Sequence, residues 1–97
     1  MTLAEPMNFA IEHQPASSRF MTVVDGESCV VDYRLEGGVM LITHTGVVPR
    51  LEGRGIAAAL TRAALDHARA QGLKVNPLCS YASAYMQRHP ETLGLLA

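Results

Sequence analysis

The chain has 97 residues, 48% apolar and 18% charged, with a formal net charge of −1. That length and balance describe one globular domain over residues 1–97 rather than a disordered chain. A charge near zero leaves no electrostatic footprint for nucleic acid, and no run of 18 apolar residues exists to span a membrane. Met1 to Phe9 lacks the basic start and apolar run of a secretion signal, and two cysteines, Cys29 and Cys79, form no disulfide framework, so a cytoplasmic protein is expected. The cysteines and the four histidines are scattered without ligand spacing, so no metal is expected.

In chain order, residues 1–6 read as a lead-in and Met7 to His13 as a first strand. Gln14 to Ser18 carries turn chemistry. Arg19 to Val24 is β-rich and meets Asp25-Gly26, a two-residue hairpin signal. Ser28 to Glu36 alternates cleanly. Cys29, Val31, Tyr33 and Leu35 share one face; Ser28, Asp32, Arg34 and Glu36 lie on the other. Gly37-Gly38 is the next turn. Val39 to Val48 is a long strand that Pro49 ends by removing a ladder donor.

The period then changes. From Ile56 to about Gln71 the spacing predicts a helix, with Ile56, Ala59, Leu60, Ala63, Ala64, His67 and Ala70 on one side. Arg62, Asp66 and Arg69 mark its wet side, and Gln71-Gly72 is a stop. Lys74 to Leu78 is a short strand, which a right-handed crossover sets parallel to the long one. Ser80 is the expected cap of a second helix, Tyr81 to about His89, ended by Pro90. Glu91 to Ala97 reads as a short tail. The fold class is therefore α+β: an antiparallel meander of three to four strands, then helix, parallel strand and C-terminal helix.

Between long strand and first helix lies Val47-Val48-Pro49-Arg50-Leu51-Glu52-Gly53-Arg54-Gly55-Ile56-Ala57. Glycine lets backbone approach a ligand closely, and a helix start offers unpaired N–H groups and partial positive charge. Together they make a cradle for an anion, most often a phosphate. A Walker loop needs Gly-Lys, and none occurs. A dinucleotide fingerprint is formally matched from Gly53 to Ala58. However, no Asp or Glu lies between Gln71 and Met86, and the preceding meander is the wrong context.

Arg50-x-x-Gly53-x-Gly55 resembles the acyl-CoA signature of the GNAT superfamily of N-acetyltransferases. His44-Thr45-x-Val47 before it, and Pro77-x-Cys79-Ser80-Tyr81 with Tyr85 and Arg88-His89-Pro90 after it, are similar to the small stand-alone branch of that superfamily. The resemblance implies a GNAT-like fold that binds acetyl-CoA and acetylates an amine, small molecule or protein. Backbone amides from Leu51 to Ile56, with Ala57, would hold the CoA pyrophosphate. Arg50 and Arg54 would pair with CoA phosphates. The strand ends at Val47-Val48 and Val75-Asn76 would splay around the pantetheine arm, near Ser80, and an amide of Val47 or Val48 would polarise the thioester carbonyl. A non-catalytic acyl-CoA-binding module and a domain that keeps the fold without binding CoA are the alternatives. The chain ends soon after the second helix, so the acceptor site is not carried over, and an oligomer is one way to complete it.

Three residues are candidates for chemistry. Cys79 precedes a helix start, whose partial positive charge suits an anionic sulfur. It reads either as a covalent acetyl acceptor or as a small packed hydrophobe. Tyr85, on the second helix, is the candidate general acid, with packing as its other reading. His44, on the long strand, would deprotonate an amine or point to solvent. His67 is expected to pack, Cys29 to be inert, and His13 and His89 receive no role.

Overall fold

A computed structural model describes residues 9–97 of the chain. Its five strands are β1 (Glu12–Gln14), β2 (Arg19–Val24), β3 (Glu27–Glu36), β4 (Val39–Gly46) and β5 (Lys74–Pro77). They form one sheet in sequence order, antiparallel from β1 to β4 and parallel between β4 and β5. Helix α1 (Ile56–Ala70) makes the crossover and α2 (Ser80–Arg88) follows β5. This is the expected α+β order, with a four-stranded meander. Of the predicted first strand, Met7 and Asn8 lie outside the described residues, and pairing begins at Glu12.

Asp25 and Gly26 join β2 to β3 with φ of +51° and +78°. Two positive φ angles make a type I′ turn, whose twist matches that of the strands it joins. The pairing closes at Val24↔Glu27, so β3 starts one residue earlier than predicted. Between β3 and β4 the register slips: Tyr33 faces Ile42, whereas Asp32 faces His44. Thr43 is the extra residue of a bulge, and its hydroxyl donates to the Asp32 carbonyl at 3.3 Å.

The buried strand residues share one face. Phe20 faces Val31, Thr22 faces Cys29, Tyr33 faces Ile42 and Met40 faces Val75. Both helices contribute to the same core, α1 through Ile56, Leu60, Thr61, Ala64, Leu65 and Ala68, and α2 through Ala82, Tyr85 and Met86. The α1 stripe is rotated from the predicted one. Leu65 buries far more apolar area than any alanine, so it and Leu60 set the rotation and Ala70 is left exposed. At the sheet edge His13 stacks on Phe20 at 4.1 Å, its Nε2 lies 2.6 Å from the Tyr33 hydroxyl, and the His67 ring meets it edge-on at 4.4 Å. Burial, then the neighbouring His67, holds the His13 imidazole below its ordinary range.

The C-terminal segment is not a tail. A 3₁₀ turn over Pro90–Leu95 buries Thr92 and Leu95. Leu96 bridges Val75, and Ala97 N–H donates to the Val75 carbonyl at 3.0 Å. The outer edge of β5 offers backbone groups that need partners, and these apolar residues supply cover.

Two buried threonines test the packing. Thr22 Oγ1 donates to the Ala10 carbonyl at 2.8 Å, whereas Thr61 Oγ1 is buried with no partner among the described residues. Replacing both by valine keeps shape and removes the hydroxyl. Thr61→Val is expected to stabilise by about 1 kcal/mol and Thr22→Val to destabilise by about the same. Urea midpoints read both; a loss of stability in Thr61→Val would mean that its hydroxyl is satisfied.

Candidate functional site

Pairing between β4 and β5 stops at Ile42↔Pro77. The Ile42 carbonyl then accepts from two amides, Leu78 N–H at 3.0 Å and Cys79 N–H at 3.1 Å. The Thr43 bulge bends β4 at the same level, as bulges do. Beyond it the chains diverge, and a cavity of about 560 Å³ opens. Thr45, Val47 and Tyr81 line one part of it; Gly53, Gly55 and the first turn of α1 line the other. On β5 the divergence starts later than the expected Val75-Asn76, and on β4 earlier than the expected Val47-Val48. Asn76 is still paired with Leu41 and points out of the exposed face of the sheet, away from the cavity.

The glycine loop is built by local chemistry. Pro49–Leu51 forms a 3₁₀ turn in which Leu51 N–H donates to Val48 at 3.0 Å and Glu52 N–H to Pro49 at 3.1 Å. Those two amides are therefore used inside the turn, and the Leu51 side chain is buried in the core. Gly53 and Gly55 follow with φ of +86° and +84°. Side chains rarely adopt that region, and a Cβ at either position would meet no atom within 4 Å. Among the described residues, the amides of Gly53, Arg54 and Gly55 have no backbone partner. Gly55 is also the N-cap of α1; it brings no capping side chain, and the first turn holds no acidic residue. Gly53, Gly55 and the start of α1, with N–H donors that have no backbone partner among the described residues, thus line one cavity.

The second helix start is different. Ser80 is exposed and is the first helical residue; the cap is Cys79, whose Sγ accepts from Ala82 N–H at 3.4 Å. The extended backbone that a cap requires falls at Cys79 because its N–H is the last to reach Ile42. Thr45 Oγ1 lies 3.4 Å from the same sulfur, across the gap.

The other two candidates for chemistry lie elsewhere. His44 faces Asp32 on the opposite side of the sheet from Thr45 and Cys79, and is exposed. Tyr85 is buried, its ring stacked on His89 at 3.9 Å, beside Arg62, Asp66 and Glu91. Tyr81, one turn earlier, is the tyrosine at the cavity. Burial pushes the phenols of both tyrosines above their usual range. Thr45 and Tyr81 received no role from the sequence. The signal was their place in sequence beside Val47, which lines the cavity, and Cys79, which does not line it but lies 3.4 Å from Thr45 Oγ1.

Val47 and Val48 are half-buried beyond the end of β4, which stops at Gly46. Ile56 is buried and Ala57 lines the cavity. Arg50 and Arg54 frame the loop without lining the cavity. Arg50 Nη2 lies 3.0 Å from Glu27 Oε2 and donates to the Asp25 carbonyl at 3.1 Å, and Arg54 Nη1 lies 2.9 Å from Asp25 Oδ2.

Residues 19–95 match the family model for GCN5-related N-acetyltransferases. Protein NATD1 of Gallus gallus and of Mus musculus are each 31% identical to the chain over 83 residues, which cover 82% of this chain and 76% of theirs. The solution structure of a GCN5-like protein from Staphylococcus aureus superposes with a TM-score of 0.74 at 26% identity, covering 93% of this chain and 89% of that one.

The cap contact has a measurable consequence. Cys79→Ala removes the acceptor for Ala82 N–H and is expected to cost about 0.5–1 kcal/mol in urea unfolding, while Cys79→Ser, with a better acceptor, costs nothing. Equal losses in both would show that the sulfur does not cap α2.

Proposed function

The chain belongs to the GCN5-related N-acetyltransferase family, and on that premise we propose that it binds acetyl-CoA in the cavity lined by the end of β4, the glycine loop, the start of α1 and Tyr81 of α2 and passes the acetyl group to an amine. The family and the fold support acyltransferase activity. The observation that carries the coenzyme reading is the uncapped start of α1, whose free amides and two left-handed glycines open onto the same cavity as the gap between the strands. Such a start suits a diphosphate, and the cavity continues past Val47 to Thr45 and Tyr81, as a long thioester arm requires. The thioester supplies an activated acyl carbonyl.

The chain's own groups then have distinct tasks. The amides of Gly53 to Gly55 and the first turn of α1 hold the diphosphate. The backbone N–H of Val47 is the proposed donor to the thioester carbonyl oxygen. Cys79 Sγ has one N–H and one hydroxyl within 3.4 Å, both able to support a negative sulfur. It is the atom that takes the acetyl group and returns to a thiol when the amine removes it. Tyr81, whose phenol burial pushes above its usual range, is the proton donor for the departing coenzyme sulfur.

Calorimetry with CoA tests the cradle. Wild type is expected to bind, and Gly55→Val to lose at least about tenfold in affinity, since a side chain there enters the space the phosphates need. Gly72→Val is the matched control, because Gly72 also has a positive φ with no atom near its Cβ position and lies at the other end of α1. CoA binding by Gly55→Val as tight as by wild type would show that this loop is not the phosphate site.

Intact-mass spectrometry after mixing with acetyl-CoA tests the thiol. In a Cys29→Ala background, one acetyl adduct is expected, mapping to Cys79. Transfer is expected to slow strongly in Cys79→Ala with CoA affinity nearly unchanged. Absence of the adduct with unchanged turnover would leave direct attack by the amine as the mechanism.

A further inference from the structure

The glycine loop is tied to a part of the chain that lies outside the cavity. We propose that the tip of the β2–β3 hairpin, through Asp25 and Glu27, is a positioning element for the diphosphate loop, and that Arg50 and Arg54 serve this latch rather than the phosphates. The proposal rests on the coenzyme reading of the cavity.

Both arginines reach the same hairpin from opposite ends of the loop. Arg50 leaves the 3₁₀ turn before it and Arg54 stands between the two left-handed glycines. Each meets a carboxylate, at 3.0 Å on Glu27 and 2.9 Å on Asp25, and Arg50 adds the Asp25 carbonyl at 3.1 Å. These guanidinium groups are absent from the cavity wall, which the loop reaches through Leu51, Glu52, Gly53 and Gly55.

The need for such a latch follows from the loop itself. Its central amides have no backbone partner among the described residues, so no ladder fixes where they point. A Gly-x-Gly segment has more conformational freedom to lose than any other. Donors that are to meet a diphosphate must already be oriented, or binding bears the ordering cost. The hairpin supplies a rigid anchor: a two-residue type I′ turn on a ladder paired from Arg19↔Asp32 to Val24↔Glu27. Exposed ion pairs are individually weak. Here two of them restrain the short segment between the buried Leu51 and Ile56. With each guanidinium already matched to a carboxylate, attraction for phosphate comes from the amides and the start of α1.

The experiment separates a latch from a phosphate contact. Amide hydrogen exchange is read first, without ligand. Asp25→Asn with Glu27→Gln removes both carboxylates while keeping a residue that tolerates positive φ at position 25. Exchange at Gly53 to Gly55 is expected to quicken about tenfold in this variant, with the middle of α1 unchanged. CoA affinity, by calorimetry, is expected to weaken about fivefold, with binding of pantetheine, which lacks the phosphates, unchanged. Arg50→Glu alone is expected to weaken CoA at least as much. Arg50→Glu combined with Glu27→Arg rebuilds the pair with its charges exchanged and is expected to return affinity to within about twofold of wild type. If the exchanged pair binds CoA no better than Arg50→Glu, Arg50 acts on the phosphate and the proposal is overturned. Unchanged exchange in the carboxylate-free variant overturns it as well. Failure of wild type to bind CoA would instead sink the coenzyme reading, and the ligand-free exchange rates tell the two failures apart.

Discussion

A single carbonyl sets the geometry of the site. Ile42 C=O accepts from both Leu78 and Cys79, and with that its ladder to β5 ends. An oxygen has two lone pairs, so two amides are satisfied at one point and the next residues of β5 are released from the sheet. The Thr43 bulge turns β4 at the same level. Without this early end to pairing, β4 and β5 would run on together and close the space that Thr45 and Tyr81 now line. The gap is therefore a property of hydrogen-bond accounting, and the side chains around it only furnish it.

The two helix starts beside this gap are handled in opposite ways. Helix α1 begins at a glycine and leaves its first donors without a side chain to meet them, whereas α2 begins at a cysteine whose sulfur takes one of them. The first arrangement leaves binding capacity for an anion; the second spends part of it on a thiol and thereby fixes that thiol in place. One element offers charge to something that arrives, and the other offers it to something that stays.

Much of the sheet was legible because period-two alternation and two-residue turns are local signals. Ser28 to Glu36 and Asp25-Gly26 needed no tertiary knowledge. The glycine loop was equally local. What could not be read depended on contacts distant in sequence. The rotation of α1 turned on Leu65 outweighing alanines against a sheet face not yet placed. The cap moved from Ser80 to Cys79 because Ile42, far back in the chain, decides where β5 ends. Asn76 and His44 fell on the wrong side of the sheet, the second because a bulge shifts which face a residue takes. Tyr85 and Tyr81 occupy successive turns of one helix, and only the position of the gap chooses between them. The arginines were seen as charges near phosphate, while their partners stood more than twenty residues away.

Among the described residues, helices cover one face of the sheet, and this shapes how the molecule responds to temperature. Val23 on the other face is 59% exposed, with Met21, Val30 and Leu41 only partly covered. Unfolding therefore uncovers less new apolar surface than it would in a three-layer domain of equal length. The heat-capacity change scales with that surface. A small value broadens the stability curve, so that cooling and moderate warming alter it less. In such a molecule a ligand that binds only the native state adds a logarithmic increment to that curve. The concentration of that ligand then bears on how long the chain stays folded, alongside the packing of its core.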